Sequence, residues 1–313
     1  RMRVLKGLAR PDIQQVMDRT MRFHQSGNLG QALIDVTTPP TKKLRDKPKP
    51  KHKRMDQWSF PDELFGFLDQ LFYGLETSWL DRLEIADDRI PVVFPKFGFA
   101  EHIAFLGNEV EFTESTSWAH PVVTDWSKLS ELELNEDSLW FKILMDSYDY
   151  LMAKADDRFV PCLRGLMLPM DMANALRGND FFSDIYEYPD ETRVLLDFCS
   201  EAGKWFVLKQ KQKIGTYYGG TMAAGFWLPG NSIGALSEDA SVMCSPQTYS
   251  EFGLPYTGKI LADYDQAFMH LHGAGSHAFS TILFSETITC VEITNDPNQP
   301  RSIDLYRDFF DIL

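Results

Sequence analysis

Three places in the chain carry the residue types most able to do chemistry. The first is His270-Leu271-His272, inside the apolar run AFMHLHG, which reads as a strand. Side chains two apart on a strand point to the same side, so both imidazoles share one face. Imidazole is a good metal ligand, and a catalytic centre needs about three protein donors with one position left open. The same pair equally suits buried, hydrogen-bonded histidines with no ion between them. The second place is Glu238-Asp239, directly after the short apolar run SIGALS. Adjacent carboxylates point in different directions, so only one can face a site, as a metal ligand or a general acid/base. The alternative is an acidic cap on the helix that starts near Ser245. The third is Asp171, in the turn Pro169-Met170-Asp171, which either reaches a pocket or caps the helix that follows.

Aromatic residues supply candidate walls for such a pocket. Tyr217, Tyr218, Phe226 and Trp227 cluster with glycines in TYYGGTMAAGFWLPG. They suit an aromatic or methyl-bearing substrate, and ordinary packing accounts for them as well. Trp118, His120 and Trp126 share that ambiguity, with His120 before Pro121 the more pointed of the three. His277, after Ser276, reads as a residue at a helix start.

Elements must bring these residues together. Apolar residues at helical spacing predict helices over WSFPDELFGFLDQLFYGLETSWLDRLEI, residues 138–155 and DETRVLLDFCSEAGKWFVLKQKQK. Short β-rich runs predict strands at IPVVFPKFG, EVEF, FVPCLRGLML, SIGALS, AFMHLHG and CVEI. Further helices are expected at MANALRG, at SPQTYSEFGLPYTGKILADY behind a Ser245 cap, at SHAFSTILFS and at SIDLYRDFFDIL. The N-terminal run RMRVLKGLARPDIQQVMDRT predicts an amphipathic helix with Val4, Leu5, Leu8, Ile13, Val16 and Met17 inward. Strands alternating with helices imply βα units around a parallel sheet. Polar, aromatic and histidine residues at strand ends suggest an α/β barrel with its site at the C-terminal mouth. About seven strands can be read, one short of a closed barrel; the eighth is expected near the N-terminus or beyond residue 313.

Bulk properties narrow the classes. With 313 residues, 44% of them hydrophobic, the chain can bury one large core, and a single domain over 1–313 is expected. A net charge of −14 repels phosphate backbones and anionic lipid, so neither nucleic acid nor membrane is an expected partner. Residues 37–57 are the exception, opening with TTPPTKKLRDKPKPKHKR. Dense prolines and like charges make this an exposed loop, whose sharper reading is a docking surface for an acidic partner. No GxGxxG opens a helix and no Walker sequence is present. No apolar run approaches a membrane span, and the N-terminal run lacks the apolar core of a secretory signal. Cys162, Cys199, Cys244 and Cys290 form no CxxC pair, and a soluble cytoplasmic protein is the expectation.

An ordered series of blocks carries a family resemblance. GFAEHIAFLGNEVEFTESTSWAHPVVTDW (98–126), GLMLPMDMANALRGNDFFSDIYEYP (165–189), GALSEDASVMCSPQTYSEFGLPY (234–256), MHLHGAG and VEITNDPNQP follow one another in the order of the uroporphyrinogen decarboxylase-like superfamily. The chain resembles that superfamily over about two-thirds of its length. The resemblance implies a TIM (β/α)8 barrel, here with an N-terminal helical extension. It also implies that Asp171 lies at a turn from which family members contact substrate.

Within the superfamily the resemblance divides. Decarboxylases carry an Arg-Gln-Ala-Gly-Arg segment for the porphyrinogen carboxylates, and Arg3, Arg10, Arg19 and Arg22 do not reproduce it. The methyltransferase branch holds zinc with a His-x-Cys pair and a later cysteine. His270 and His272 stand at the matching place; the later cysteine would fall beyond residue 313, which leaves Glu238, Asp239 or, less well, Cys290 as third ligand. A second imidazole in place of thiolate leaves the metal more positive and favours Lewis-acid activation. The resemblance thus implies zinc-assisted methyl transfer between a small donor or acceptor (a methyl ether, amine or thiol) and a corrinoid on a separate carrier protein. Glu238, Asp239 and Asp171 would be the catalytic carboxylates, and Tyr217, Tyr218, Trp227 and His120 the substrate wall. A decarboxylase of smaller substrates and a barrel that only binds a tetrapyrrole are the alternatives. Oligomeric state is left open.

Overall fold

The computed structural model describes residues 2–3, 9–25, 32–37 and 49–309, with backbone alone for Met2, Arg3 and Asp81. Residues 38–48 of the basic proline-rich run, and Val4, Leu5 and Leu8, lie outside the described residues. Within the rest of that run, Lys53 pairs with Glu63 and Arg54 with Asp56 and Glu114.

The fold is mixed α/β with parallel sheets, and its helices follow from apolar spacing. Leu139–Ala155 buries Phe141, Leu144, Tyr148, Leu151 and Ala155, a three-four spacing that lays one stripe on the core. It ends where Asp156 turns left-handed at φ 44°. Pro189–Ile214 opens with Pro189 and the acidic Asp190 and Glu191, and closes with Lys211 and Lys213, the charges each end prefers. The predicted helix at 245–264 is two: Pro246–Phe252, capped by the Ser245 hydroxyl accepting from Thr248 N at 3.0 Å, and Leu254–Leu261. Gly253 and the missing N–H of Pro255 interrupt it.

Among the described residues, six short strands pair in parallel in sequence order, in two sheets. Val92–Val93 lies beside Val160–Pro161. In the second sheet, Leu166–Met167 pairs with the end of Ser232–Ser237. That strand pairs with Gln266–His272, which pairs in turn with Ile288–Thr294. Ser232–Ser237 carries a bulge: three residues from Ile233 to Leu236 span what two cover from Ala267 to Met269, with Ala235 at φ 53°. Beside it, a Cβ on Gly165 would lie 2.7 Å from the Ala235 carbonyl oxygen, so only glycine fits there.

Two further expectations need correction, and one stretch left without an element gains one. The N-terminal run is not one helix, since Met2–Arg3 is a short strand parallel to Thr216–Tyr217 and the helix is Ile13–Phe23. EVEF forms an antiparallel hairpin, Val110–Phe112 with Ser117–Ala119, outside the parallel set. The aromatic stretch folds as an antiparallel pair, Gly220–Ala223 with Phe226–Pro229.

Among the described residues the core has three parts. The largest lies between the parallel strands and the helices and includes Ala267, Met269 and Leu271. Alternation therefore turns Phe268, His270 and His272 to the other face of that strand.

A candidate metal centre on the strand Gln266–His272

His270 and His272 meet across the strand face, their Nε2 atoms 3.3 Å apart. The parallel register sets Glu292 opposite His270, and Glu292 Oε2 lies 3.0 Å from His270 Nδ1. On the other ring, Nδ1 of His272 lies 2.7 Å from Asp296 Oδ1. The second oxygen of Asp296 accepts Ala274 N–H at 3.0 Å, which fixes the carboxylate. The His270 hydrogen bond holds Glu292 below the usual carboxyl range. Partial burial opposes the same effect at Asp296, but the bonds from His272 and Ala274 outweigh it. Both groups are therefore ionised acceptors, and each Nδ1 carries the proton.

That assignment leaves two Nε2 lone pairs facing each other. Such a pair repels unless a cation lies between, either a shared proton or a metal ion. The hydrogen bond to Glu292 raises His270 above its ordinary value, partial burial opposing, and the charges of Asp239 and Asp171 add to the rise.

A third donor comes from the loop after the bulged strand. Asp239 Oδ1 lies 3.7 Å from His272 Nε2, and one donor atom from each of Asp239, His270 and His272 falls within 4.8 Å of the others. Asp239 is half-exposed, whereas Glu238 points the opposite way into the protein. Glu238 accepts Met170 N–H at 3.2 Å, Thr257 Oγ1 at 2.9 Å and the Tyr249 hydroxyl at 3.3 Å. Burial, and then the nearby Asp171, push its carboxyl well above the usual range. It thus satisfies a first-turn N–H of the helix Pro169–Arg177 rather than capping the helix after Ser245. Asp171 is the third residue of that same helix, not its cap. Its oxygens accept Ser237 Oγ at 2.8 Å and Ala240 N at 2.6 Å.

The remaining candidates stand elsewhere. Tyr217 and Trp227 are buried with Ile13, Val16 and Met17 under the N-terminal helix, where Trp227 Nε1 donates to the Tyr217 carbonyl at 2.8 Å. Tyr218 packs against the same cluster. The substrate-wall expectation gives way to packing for Tyr217 and Trp227, whose strands turn them toward that helix; Tyr218 stands in the turn after Thr216–Tyr217 and is partly buried. Phe226 meets the histidine strand, its ring edge-on to Phe268 at 5.2 Å. His120 is exposed and lies 3.3 Å from Glu111. Trp118 stacks on Phe99, and the Arg177 guanidinium lies over Trp126. Cys290 sits in register with Phe268, one step of alternation below Glu292, and outside the cluster of donors. His277 bonds the Cys244 carbonyl.

The spacing of the two imidazole nitrogens, though not yet that of Asp239, suits a tetrahedral ion. Two nitrogens each about 2.0–2.1 Å from such an ion stand about 3.3 Å apart, which is the separation found. Carboxylates behind both Nδ1 atoms orient the rings and raise their basicity, the second layer that metal-bound histidines ordinarily have. Glu292 and Asp296 were not legible as site residues; their only signal was that CVEI had to pair with AFMHLHG. No family model matches this chain and no curated protein matches it, so the reading of the site rests on these residues.

Proposed function

We propose that the chain is a zinc-assisted methyltransferase on a (β/α)8 barrel, moving a methyl group between a small substrate and a corrinoid on a carrier protein. The observation that carries the metal half is the facing Nε2 pair, with both Nδ1 atoms committed to carboxylates. The methyl-transfer half rests on the ordered sequence resemblance. The barrel is supported by six short strands that pair in parallel and in chain order, two in one sheet and four in another, as neighbours in a barrel wall do.

In this reading His270, His272 and Asp239 hold the ion, and Glu292 and Asp296 keep both imidazoles in the ligating tautomer. Bound there, zinc supplies Lewis acidity that lowers the pKa of a thiol or polarises the heteroatom of a methyl ether or amine. Phe226, exposed beside the histidine strand and packed on the buried Phe268, offers an apolar surface to the substrate. Decarboxylation through Asp171 has less support, because Ser237 and Ala240 already hold both its oxygens.

Elemental analysis of the wild type beside His270→Ala/His272→Ala tests this. One equivalent of zinc in the wild type, lost in a folded variant, is expected. The zinc-loaded protein should then exchange methyl groups between free methyl-corrinoid and a thiol, or between Co(I) corrinoid and a methyl ether or amine. Two histidines with one carboxylate also suit non-haem iron, and the same analysis reads which metal is held. A wild type that takes up no metal, or a loaded protein inert toward every corrinoid pairing, defeats the proposal.

A further inference from the structure

The three donors of the candidate centre are not equally anchored. His270 and His272 sit on a strand paired on both sides, whereas Asp239 opens a short 3-10 helix, Asp239–Met243, in the loop that leaves the bulged strand. Its side chain is half-exposed. The loop is held instead from its two flanks. Asp171 reaches across from the helix Pro169–Arg177, accepting the Ser237 hydroxyl before Asp239 and the Ala240 N–H after it. The Asp239 N–H also points at this carboxylate. In the opposite direction Glu238 reaches from the loop to Met170 N–H in the first turn of that helix. Loop and helix thus clasp each other through two buried carboxyls, with Asp239 at the centre of the clasp.

We propose that Asp171 is a positioning residue, which sets the Asp239 carboxylate toward His270 and His272 by holding Ser237 and Ala240, one on either side of it. This rests on the reading of Asp239 as a ligand. A carboxylate that ligates from a loop needs its backbone fixed, and groups that fix ligands from behind contribute about 10- to 100-fold to metal affinity. Asp171 touches no substrate in this assignment; it acts through Asp239. Asparagine at 171 can keep part of the arrangement, its carbonyl accepting Ala240 N–H and its amide donating to the Ser237 hydroxyl.

Cobalt(II) chloride titrated into the metal-free full chain, followed by visible absorption, tests this with wild type, Asp171→Ala, Asp171→Asn and Ser237→Ala. Circular dichroism checks that each is folded. Expected are an affinity about 10- to 100-fold weaker and an altered cobalt spectrum in Asp171→Ala, with smaller losses in Asp171→Asn and Ser237→Ala. A purely structural Asp171 would lower the melting temperature and leave the affinity and spectrum of the folded protein unchanged; that result overturns the inference and leaves the metal centre standing. If Asp171→Ala does not fold, Asp171→Asn decides: weaker binding with a changed spectrum supports the role, wild-type values of both overturn it. A wild type that gives no cobalt spectrum removes the metal centre and the positioning role together.

Discussion

Asp171 has its carboxyl raised to about 6, first because burial strips its water and second because Asp239 adds like charge. The folded chain therefore holds this proton more tightly than the unfolded chain, whose value is near 3.8. The resulting stabilisation is complete below the unfolded value and is lost as pH rises through about 6. The gap corresponds to at most about 3 kcal/mol. Asp171→Asn cannot titrate, so the stability of the variant relative to wild type should grow by up to that amount between pH about 4 and about 7. Urea unfolding at both pH values measures it, and a difference that does not change with pH counts against the assignment. At this scale the sequence was legible where geometry is local. Two histidines two residues apart on a strand had to share a face, and adjacent Glu238 and Asp239 had to diverge. Which of the two would diverge toward the histidines was not legible, because it depends on what Met170, Tyr249 and Thr257 offer from distant segments. Glu292 and Asp296 escaped for a related reason: parallel register is set by a partner strand and not by the residues themselves.

Helices were easier to read than strands, since one stripe of apolar residues suffices for a helix and a strand of two or three residues has no period. Leu139–Ala155 and Pro189–Ile214 lie within a residue or so of the predicted spans. Met2–Arg3 is too short to announce itself, and the hairpin at Val110–Phe112 resembles a sheet strand in composition alone. Between elements, the approach of Gly165 to the Ala235 carbonyl offers a test. Gly165→Ala would press a methyl against backbone that a paired strand cannot withdraw, and a loss of about 1–3 kcal/mol is expected. Chemical denaturation with an unchanged midpoint would show that the strands yield more than this.

Across the molecule, stability and the candidate centre draw on different residues. The cluster of Tyr217, Trp227, Ile13 and Met17 fastens the N-terminal helix to the antiparallel pair and does not include the histidines. Trp227→Ala should therefore lower unfolding stability by about 3–5 kcal/mol and leave the metal content per folded molecule at the wild-type value. Unfolding curves paired with metal analysis separate the two, and loss of metal from a folded Trp227→Ala would tie the cluster to the site. The burial of these aromatics was not legible because residue type says what a side chain can do, not which face it occupies. Among the described residues no helix is long and apolar enough to cross a membrane, and the formal charge of −14 remains a property of the whole surface.

The bulge at Ala235 works as a phase keeper. Were all these residues in an unbulged strand, strict alternation from the buried Ile233 would send Leu236 to the histidine face and Ser237 back among the helices. With the bulge, Leu236 fills the core and Ser237 reaches Asp171. A chain one residue shorter here would keep the same faces as a regular strand, whereas one of equal length with no bulge would present opposite side chains to the histidines. For relatives of this protein, segment length and bulge must therefore change together if the site is shared.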